Sequence, residues 1–182
     1  EYAINDGFTD EFKLYAVVVT DSNGYPWVSY LADVGGTTFR VRVAKASSLD
    51  GSGTWTVWTL ASSAGSGAGY SQPRPVIIAP LTTGKIYVVY SWAYVSQKLT
   101  GKLWNGSAWS SEETVVTGET SAPSGAAQAD NVHVAYVGTA DSLVRYIKRI
   151  YGTGWGTVEN LGEQSQDKSV VISIDGSDIH LF

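Results

Sequence analysis

The stretch Lys85-Ile86-Tyr87-Val88-Val89-Tyr90 decides the fold, because related stretches recur along the chain. The other copies are Tyr25-Pro26-Trp27-Val28-Ser29-Tyr30, Asn131-Val132-His133-Val134-Ala135-Tyr136 and the shorter Asp178-Ile179-His180-Leu181-Phe182. Each of the three complete copies ends in a tyrosine and is followed by a single marker tryptophan. Repetition of this kind predicts a fold built from tandem supersecondary units.

The spacing of the two markers shows that the repeat is real. The marker pairs are Tyr30 and Trp55, Tyr90 and Trp109, and Tyr136 and Trp155. The second and third pairs are each separated by 19 positions, and the first, longer pair by 25. Two independent markers would not be expected to share one spacing by chance.

Each unit contains four runs of strand length, rich in β-branched and aromatic residues and closed by Gly, Asn or Asp. In the first unit these runs are residues 14–20, 25–32, 39–46 and 55–60. The fourth strands of the next units are predicted at 109–117 and 155–161, and no window has the periodicity of a helix. Four short antiparallel strands in a tandem repeat predict an all-β fold of β-propeller blades. The predicted blades span 13–62, 74–117 and 126–162, with a partial blade at 168–182.

One turn adds a family resemblance. Ser48-Leu49-Asp50-Gly51-Ser52-Gly53-Thr54-Trp55 resembles the Asp-box of sialidase-like (BNR-repeat) β-propellers, a Ser-x-Asp-x-Gly-x-Thr-Trp turn. Its second glycine falls one place late, at Gly53. In that family the Asp-box is a structural turn between the third and fourth strands, remote from the ligand face. The resemblance therefore implies a fold rather than a chemistry.

The partial fourth unit leaves two interpretations open. A half-made blade leaves a bare sheet edge, which native proteins avoid. The chain is then either a segment of a longer propeller of about six to eight blades, or a protein whose sheets neighbouring copies complete as a homo-oligomer or filament. Residues 2–12 could provide a completing strand.

Composition restricts the partners and the compartment. The chain has 12 Lys and Arg, 17 Asp and Glu and a net charge of −5, and the basic residues form no run that could follow phosphates. Nucleic acid is therefore excluded as a partner, and no apolar stretch has the length of a membrane span. The absence of Cys and Met, with many Ser, Gly, Thr, Trp and Tyr, favours a secreted or cell-surface protein.

No catalytic residue is predicted. A sialidase-type enzyme would need, by the family resemblance, three arginines, a Tyr with a Glu partner, and an acidic Asp. The family's Arg-Ile-Pro signature is absent, and Arg40 and Arg42 alternate on a third strand where we expect them to face solvent. Glu112 and Glu113 lie on an outer strand and suggest no acid and nucleophile pair. An enzyme is therefore the less favoured interpretation.

No metal or other cofactor is predicted either. His133 and His180 occupy the repeat position of Trp27 and Tyr87, which indicates an aromatic slot between packed blades rather than a metal ligand. The acidic turns at 21–24 and 175–178 are interpreted as hairpin turns, with weak calcium binding as the alternative.

Binding is the remaining function. In a propeller, the loops between second and third strands share one face with the loops between blades. These loops contain the candidate ligand-binding residues Asp33, Tyr70, Arg74, Trp92, Tyr94 and Asp141. Aromatic rings stack on sugars, and Asp or Arg side chains bond hydroxyls. The favoured function is a non-catalytic, carbohydrate-binding recognition or scaffold module. The alternatives are a fragment of a secreted sialidase-like hydrolase and a self-assembling surface protein.

Overall fold

The fold consists of antiparallel sheets formed by consecutive parts of the chain. The computed structural model describes residues 12–35, 38–64, 75–92, 98–118, 123–138, 140–164 and 169–182. Sheet 1 contains β1 (Phe12–Thr20), β2 (Pro26–Asp33), β3 (Thr38–Ala46) and β4 (Trp55–Ala64). Sheet 2 contains β5 (Val76–Ile78), β6 (Ile86–Trp92), β7 (Lys98–Trp104) and β8 (Glu113–Thr117).

The third and fourth units follow the same plan. Sheet 3 contains β9 (Ser124–Gln128), β10 (Asn131–Val137), β11 (Leu143–Ile150), β12 (Gly154–Trp155) and β13 (Glu159–Gln164). Sheet 4 contains β14 (Ile172–Asp175) and β15 (Asp178–Leu181). The strands of sheets 1 and 2 pair in chain order, and in sheet 3 both β12 and β13 pair with β11. The only helical segment in the described ranges is a single 3₁₀ turn at Thr82–Gly84.

Consecutive sheets pack face to face through separate apolar clusters. Trp27 and Val43 of sheet 1 pack with Ile77 and Val88 of sheet 2. A second cluster joins sheets 2 and 3, and a third joins sheets 3 and 4. Both faces of sheet 2 are therefore covered, which explains why its central strand β6 reads as a continuous apolar run.

The repeat positions have constant directions. Tyr90 and Tyr136 face the preceding sheet and are buried, and the equivalent Tyr30 is buried on the outer face of sheet 1. The repeat position three residues before this tyrosine faces the next sheet, and in sheets 1 and 2 it meets the marker tryptophan of that next sheet. Trp27 contacts Trp109 with ring centroids 6.4 Å apart, and Tyr87 contacts Trp155 at 5.7 Å.

A cluster of four tryptophans fills the contact between sheets 1 and 2. Trp27, Trp58, Trp104 and Trp109 have ring centroids between 5.1 and 6.4 Å apart. Trp27 is fully buried, and its indole N–H donates to the Asp21 carboxylate over 2.8 Å. Rings of this size bury large apolar areas, so this cluster is a major part of the core.

The prediction of an all-β fold with repeated four-stranded units is confirmed, and two details are wrong. The fourth strand of unit two begins at Glu113, because Trp109 forms only an isolated bridge with Trp104. In unit three the predicted strand 155–161 is split between β12 and β13.

Arg42 was predicted to face solvent and is instead fully buried. It lies directly opposite Tyr30 in the pairing of β2 with β3, so both side chains share one face of sheet 1. Tyr30 and Ala44 on that face are buried, as are Trp27 and Val43 on the face toward sheet 2. Successive side chains of β3 point to opposite faces of the sheet, and on neither face are they fully exposed to solvent.

Candidate functional site

One side of the stack is fixed by hydrogen bonds between hairpin turns of neighbouring sheets. The amide of Gly84 donates to Ser22 Oγ over 2.7 Å, and the amide of Thr82 donates to Asp130 Oδ1 over 2.8 Å. The Gln128 side chain donates over 2.8 Å to a carbonyl in the β14–β15 turn. These bonds place the starts of β2, β6, β10 and β15 on one side, termed the turn side. The ends of β2, β6 and β10 lie on the opposite side, termed the loop side.

Three of the predicted ligand-binding residues belong to backbone on the loop side, each in a different sheet. Asp33 is the last residue of β2, and Trp92 is the last residue of β6. Asp141 lies in the turn between β10 and β11. The other predicted residues, Tyr70, Arg74 and Tyr94, lie outside the described residues. The flanking strand ends, Ala64 of β4 and Val76 of β5, are on the loop side.

Asp33 and Asp141 each organise a turn. Asp33 Oδ1 accepts a 3.0 Å hydrogen bond from the amide of Gly35. Asp141 accepts from the amide of Leu143 over 3.0 Å, and Arg145 donates to its second oxygen over 2.7 Å. A carboxylate has about four acceptor positions, and the Asp141 side chain is 39% exposed.

A polar network connects sheets 2 and 3 in their shared interface. The Arg149 guanidinium donates to both oxygens of Glu113 over 2.7 Å, and the Tyr87 hydroxyl donates to the same carboxylate over 3.0 Å. Trp155 packs edge-on against the Tyr87 ring. The two-pronged geometry is the strong form of an Arg–carboxylate pair.

The pKa shifts of Tyr87 and Glu113 are those expected of groups that hold two sheets together. Burial, with the negative charge of Glu113, raises the pKa of Tyr87 far above its ordinary value. Burial also acts to raise the pKa of Glu113, but the hydrogen bonds from Arg149 and Tyr87 outweigh it and the pKa is lowered. A nucleophilic tyrosine needs the opposite shift and access to substrate, whereas Tyr87 is 0% exposed.

The adjacent Glu112 points to the other face of the sheet. It accepts a 2.9 Å hydrogen bond from Tyr90, which packs toward sheet 1, and it pairs with Lys98 at 2.7 Å. Glu113 bonds Tyr87, which packs toward sheet 3. The two neighbouring carboxylates therefore do not converge on one site, whereas glycoside cleavage requires two carboxyl groups that flank the same bond.

The two histidines differ in their surroundings. His133 is buried, and its Nδ1 lies 2.7 Å from the Tyr146 hydroxyl on the face toward sheet 4. Burial, and then the charge of Lys148, lowers the pKa of His133, so the ring is neutral at physiological pH. The slot prediction is wrong for His180, which is exposed and stacks on Phe182, with no other described ring beside it. It lies on the uncovered face of sheet 4, where no described strand packs.

The turn at 21–24 joins β1 to β2 as a hairpin. One Asp21 oxygen accepts from the amides of Asn23 and Tyr25, and the other accepts from the Trp27 indole. The carboxylate of Asp21 is therefore bonded on both oxygens within its own hairpin. Among the described residues, no group of three or more His, Cys, Asp or Glu side chains has a metal-binding arrangement.

Sequence reasoning missed the Arg149–Glu113 pair and the bonds of Asp130. Their partners are 36 and 48 positions away in the chain, and only the packing of consecutive sheets brings them together. The one available signal was the sheet repeat, which places the third strand of each unit near the fourth strand of the unit before it.

No protein-family model matches the chain, and no curated protein matches it. Within the described ranges, no helix combines the length and the hydropathy that crossing a bilayer requires.

Proposed function

We propose that the sheets are blades of a β-propeller, and that the chain is a non-catalytic, extracellular recognition or scaffold module that binds carbohydrate. The propeller proposal is supported by the constant relation between consecutive sheets. The marker tryptophan of each of sheets 2 and 3 meets the same repeat position of the preceding sheet. A single geometric step that is repeated between units generates the radial order of a propeller. The Asp-box-like turn at Asp50 agrees with this proposal.

The binding proposal is carried by one observation: Asp33, Trp92 and Asp141 lie on the loop side of three successive sheets. Groups at the same end of adjacent blades face a common surface, where a ligand can contact several blades. In this proposal Trp92 supplies an apolar ring for a sugar face, and the two carboxylates accept hydroxyl hydrogen bonds. The sequence predicts that Tyr70, Arg74 and Tyr94 belong to loops of this side, and they lie outside the described residues.

The proposal that the chain is non-catalytic is supported by the bonds that its acidic side chains make. A fragment of a sialidase-like hydrolase would need a Tyr–Glu pair that substrate can reach. The Tyr87–Glu113 and Tyr90–Glu112 pairs have tyrosines that are 0% exposed. Both glutamates also bond a cation, Arg149 or Lys98. These four groups stabilise the packing of sheets, which favours binding over hydrolysis.

The test is a sugar titration followed by intrinsic tryptophan fluorescence, with sialylated, galactosylated, mannosylated and glucan oligosaccharides as probes. We expect saturable binding by one class, weakened about tenfold or more in Trp92→Ala because a stacking ring is lost. Tyr151→Ala is the matched control, since Tyr151 is an exposed aromatic on the turn side, where Lys85 lies over its ring. Its affinity should equal that of the unmodified chain.

Two results would contradict the proposal. The first is the absence of binding by any of these sugars, and the second is equal loss of affinity in Trp92→Ala and Tyr151→Ala. Release of free sugar from an activated aryl glycoside by the purified chain would contradict the non-catalytic part alone.

A further inference from the structure

The hairpin turn between β7 and β8 contains an acceptor sequence for N-linked glycosylation. The triplet Asn105-Gly106-Ser107 has the form Asn-x-Ser, in which the middle residue is not Pro. No other asparagine of the chain is followed two positions later by Ser or Thr, the others being Asn5, Asn23, Asn131 and Asn160. Whether such a triplet can carry a glycan depends on its place in the fold, which the structure supplies.

The triplet lies on the surface at the turn side. Trp104, the last residue of β7, pairs with Ile86 at the start of β6, so the turn that follows Trp104 is on the turn side. Residues 105–108 are all exposed. A Cβ atom built on Gly106 would have, apart from its chain neighbours, one heavy atom within 4 Å, the carbonyl oxygen of Thr83 at 3.6 Å. A bulky group attached to this turn therefore meets solvent rather than a packed sheet.

The side-chain amide of Asn105 is held by its oxygen, and its nitrogen is left open. Oδ1 accepts hydrogen bonds from the amides of Ser107 and Ala108, both over 2.9 Å, and from the Ser107 hydroxyl over 3.0 Å. Three converging donors identify this atom as the oxygen of the amide. Nδ2 makes no hydrogen bond to any described residue. Replacement of one of its two hydrogens by a sugar carbon therefore leaves the hydrogen bonds of the turn in place.

The equivalent turn of unit one has the same hydrogen bonds but no side-chain nitrogen. Asp50 Oδ1 accepts from the Ser52 amide over 3.0 Å and from the Ser52 hydroxyl over 2.6 Å. The central glycine has a positive φ in both turns, 76° at Gly51 and 106° at Gly106. Asp and Asn both form this turn, because each offers a side-chain oxygen to the residue two positions ahead. Only the Asn side chain offers an N–H group to a glycosyl donor.

We propose that Asn105 is a site of N-linked glycosylation and that its glycan occupies the turn side. Nδ2 forms a bond to C1 of the first sugar of a polyprenyl pyrophosphate-linked oligosaccharide, and the bond from C1 to the pyrophosphate oxygen breaks. The polyprenyl pyrophosphate leaves with the electron pair, and Nδ2 gives one proton to a base. The inference rests on the extracellular part of the proposed function, because acceptor triplets are modified in secreted chains. The glycan lies on the side opposite Asp33 and Asp141 and leaves the loop side open.

The test is the intact mass of the 182-residue chain, made behind a cleavable signal peptide in eukaryotic cells, before and after treatment with peptide-N-glycosidase. We expect a mass above that of the polypeptide, which the glycosidase returns to the polypeptide value. Asn105→Asp should lose the glycan and keep the fold, because a carboxylate makes the same bonds in the Asp50 turn. The matched control is Asp50→Asn, which creates Asn-Gly-Ser in the equivalent turn and should add a second glycan.

The inference is overturned if the unsubstituted chain has the mass of the bare polypeptide, or if Asn105→Asp retains the glycan. A sugar titration of the same samples separates it from the proposed function. Because the glycan is on the turn side, the glycosylated chain and Asn105→Asp should bind the oligosaccharide probes with equal affinity. A chain that is glycosylated at Asn105 and binds no probe contradicts sugar binding alone, and a bare polypeptide that binds a probe contradicts glycosylation alone.

Discussion

At the scale of single residues, two ion pairs among the described residues join sheet 2 to sheet 3. Glu113 of sheet 2 holds Arg149 of sheet 3, and Asp130 of sheet 3 accepts from Thr82 and Lys85 of sheet 2. Arg149 is 8% exposed, so its charge depends on Glu113 for compensation. Loss of one partner from such a pair leaves an uncompensated charge in the interface.

Glu113→Ala should therefore lower the free energy of unfolding by about 2 kcal/mol, because it leaves the Arg149 charge and the Tyr87 hydroxyl without their acceptor. The matched control is Glu159→Ala, which lies 46 positions later at the equivalent place in unit three and is exposed. Its effect should be within about 0.5 kcal/mol of zero. Urea unfolding at neutral pH measures both, and equal effects would contradict a special role for Glu113.

The same variant gives a pH dependence with a defined sign. The pKa of Glu113 lies below its ordinary 4.5 in the folded protein. A carboxyl with a lowered folded-state pKa stabilises above its unfolded pKa, and that stability is lost as pH falls through the folded value. The difference in unfolding free energy between the unmodified chain and Glu113→Ala should therefore narrow from about pH 7 to about pH 3. A difference that widens in acid would contradict this assignment.

At the scale of elements, small residues set the distance between sheets. Gly125 of β9 lies against the Ile78 side chain of β5, and a Cβ at that position would collide with it. Ile78 is buried in the cluster between sheets 2 and 3. Neither strand can move without loosening contacts on both faces of its sheet, because these interiors are close-packed.

Gly125→Ala should accordingly destabilise the protein by about 1–3 kcal/mol through overpacking. Ser173→Ala, at an exposed position of β14, is the control and should change stability by less than about 0.5 kcal/mol. Thermal and urea unfolding measure both. If Gly125→Ala left the stability of the protein unchanged, sheets 2 and 3 would be able to separate at this point without cost.

At the scale of the whole molecule, each sheet is stabilised mainly by its neighbours in the chain. Sheet 2 packs against another sheet on both faces, whereas, in the part of the chain that the structure describes, sheet 4 packs against another sheet on one face. In such arrays stability is approximately a sum of unit and nearest-neighbour terms. Protection of the backbone amides from hydrogen exchange should therefore be highest in the middle of the stack.

Amide hydrogen exchange followed by mass spectrometry should show the slowest exchange in β6, β7 and β10 and the fastest, among the described strands, in β14 and β15. The physical reason is that local opening costs most where both faces of a sheet are packed. Uniform protection across all four sheets would mean that the chain opens only as one cooperative unit, and would contradict this prediction.

The sequence determined the class of fold and most strand positions, because alternation, strand length and turn residues are local properties. The repeat in the sequence is also sufficient to place Tyr87 and His133 at equivalent positions of their units. The strand boundaries at Trp109 and Trp155 were not predictable, since an aromatic residue reads as part of a strand whether or not a neighbouring strand pairs with it.

Only the tertiary structure decided which faces are buried and which charges meet. Arg42 became a core residue because its neighbours on the outer face of sheet 1 are buried with it, and His180 became exposed because no described sheet covers the outer face of sheet 4. The Arg149–Glu113 pair and the common side of Asp33, Trp92 and Asp141 depend on how consecutive sheets stack. A repeat in the sequence fixes what each unit is made of, whereas the packing of one unit on the next determines what each side chain contacts.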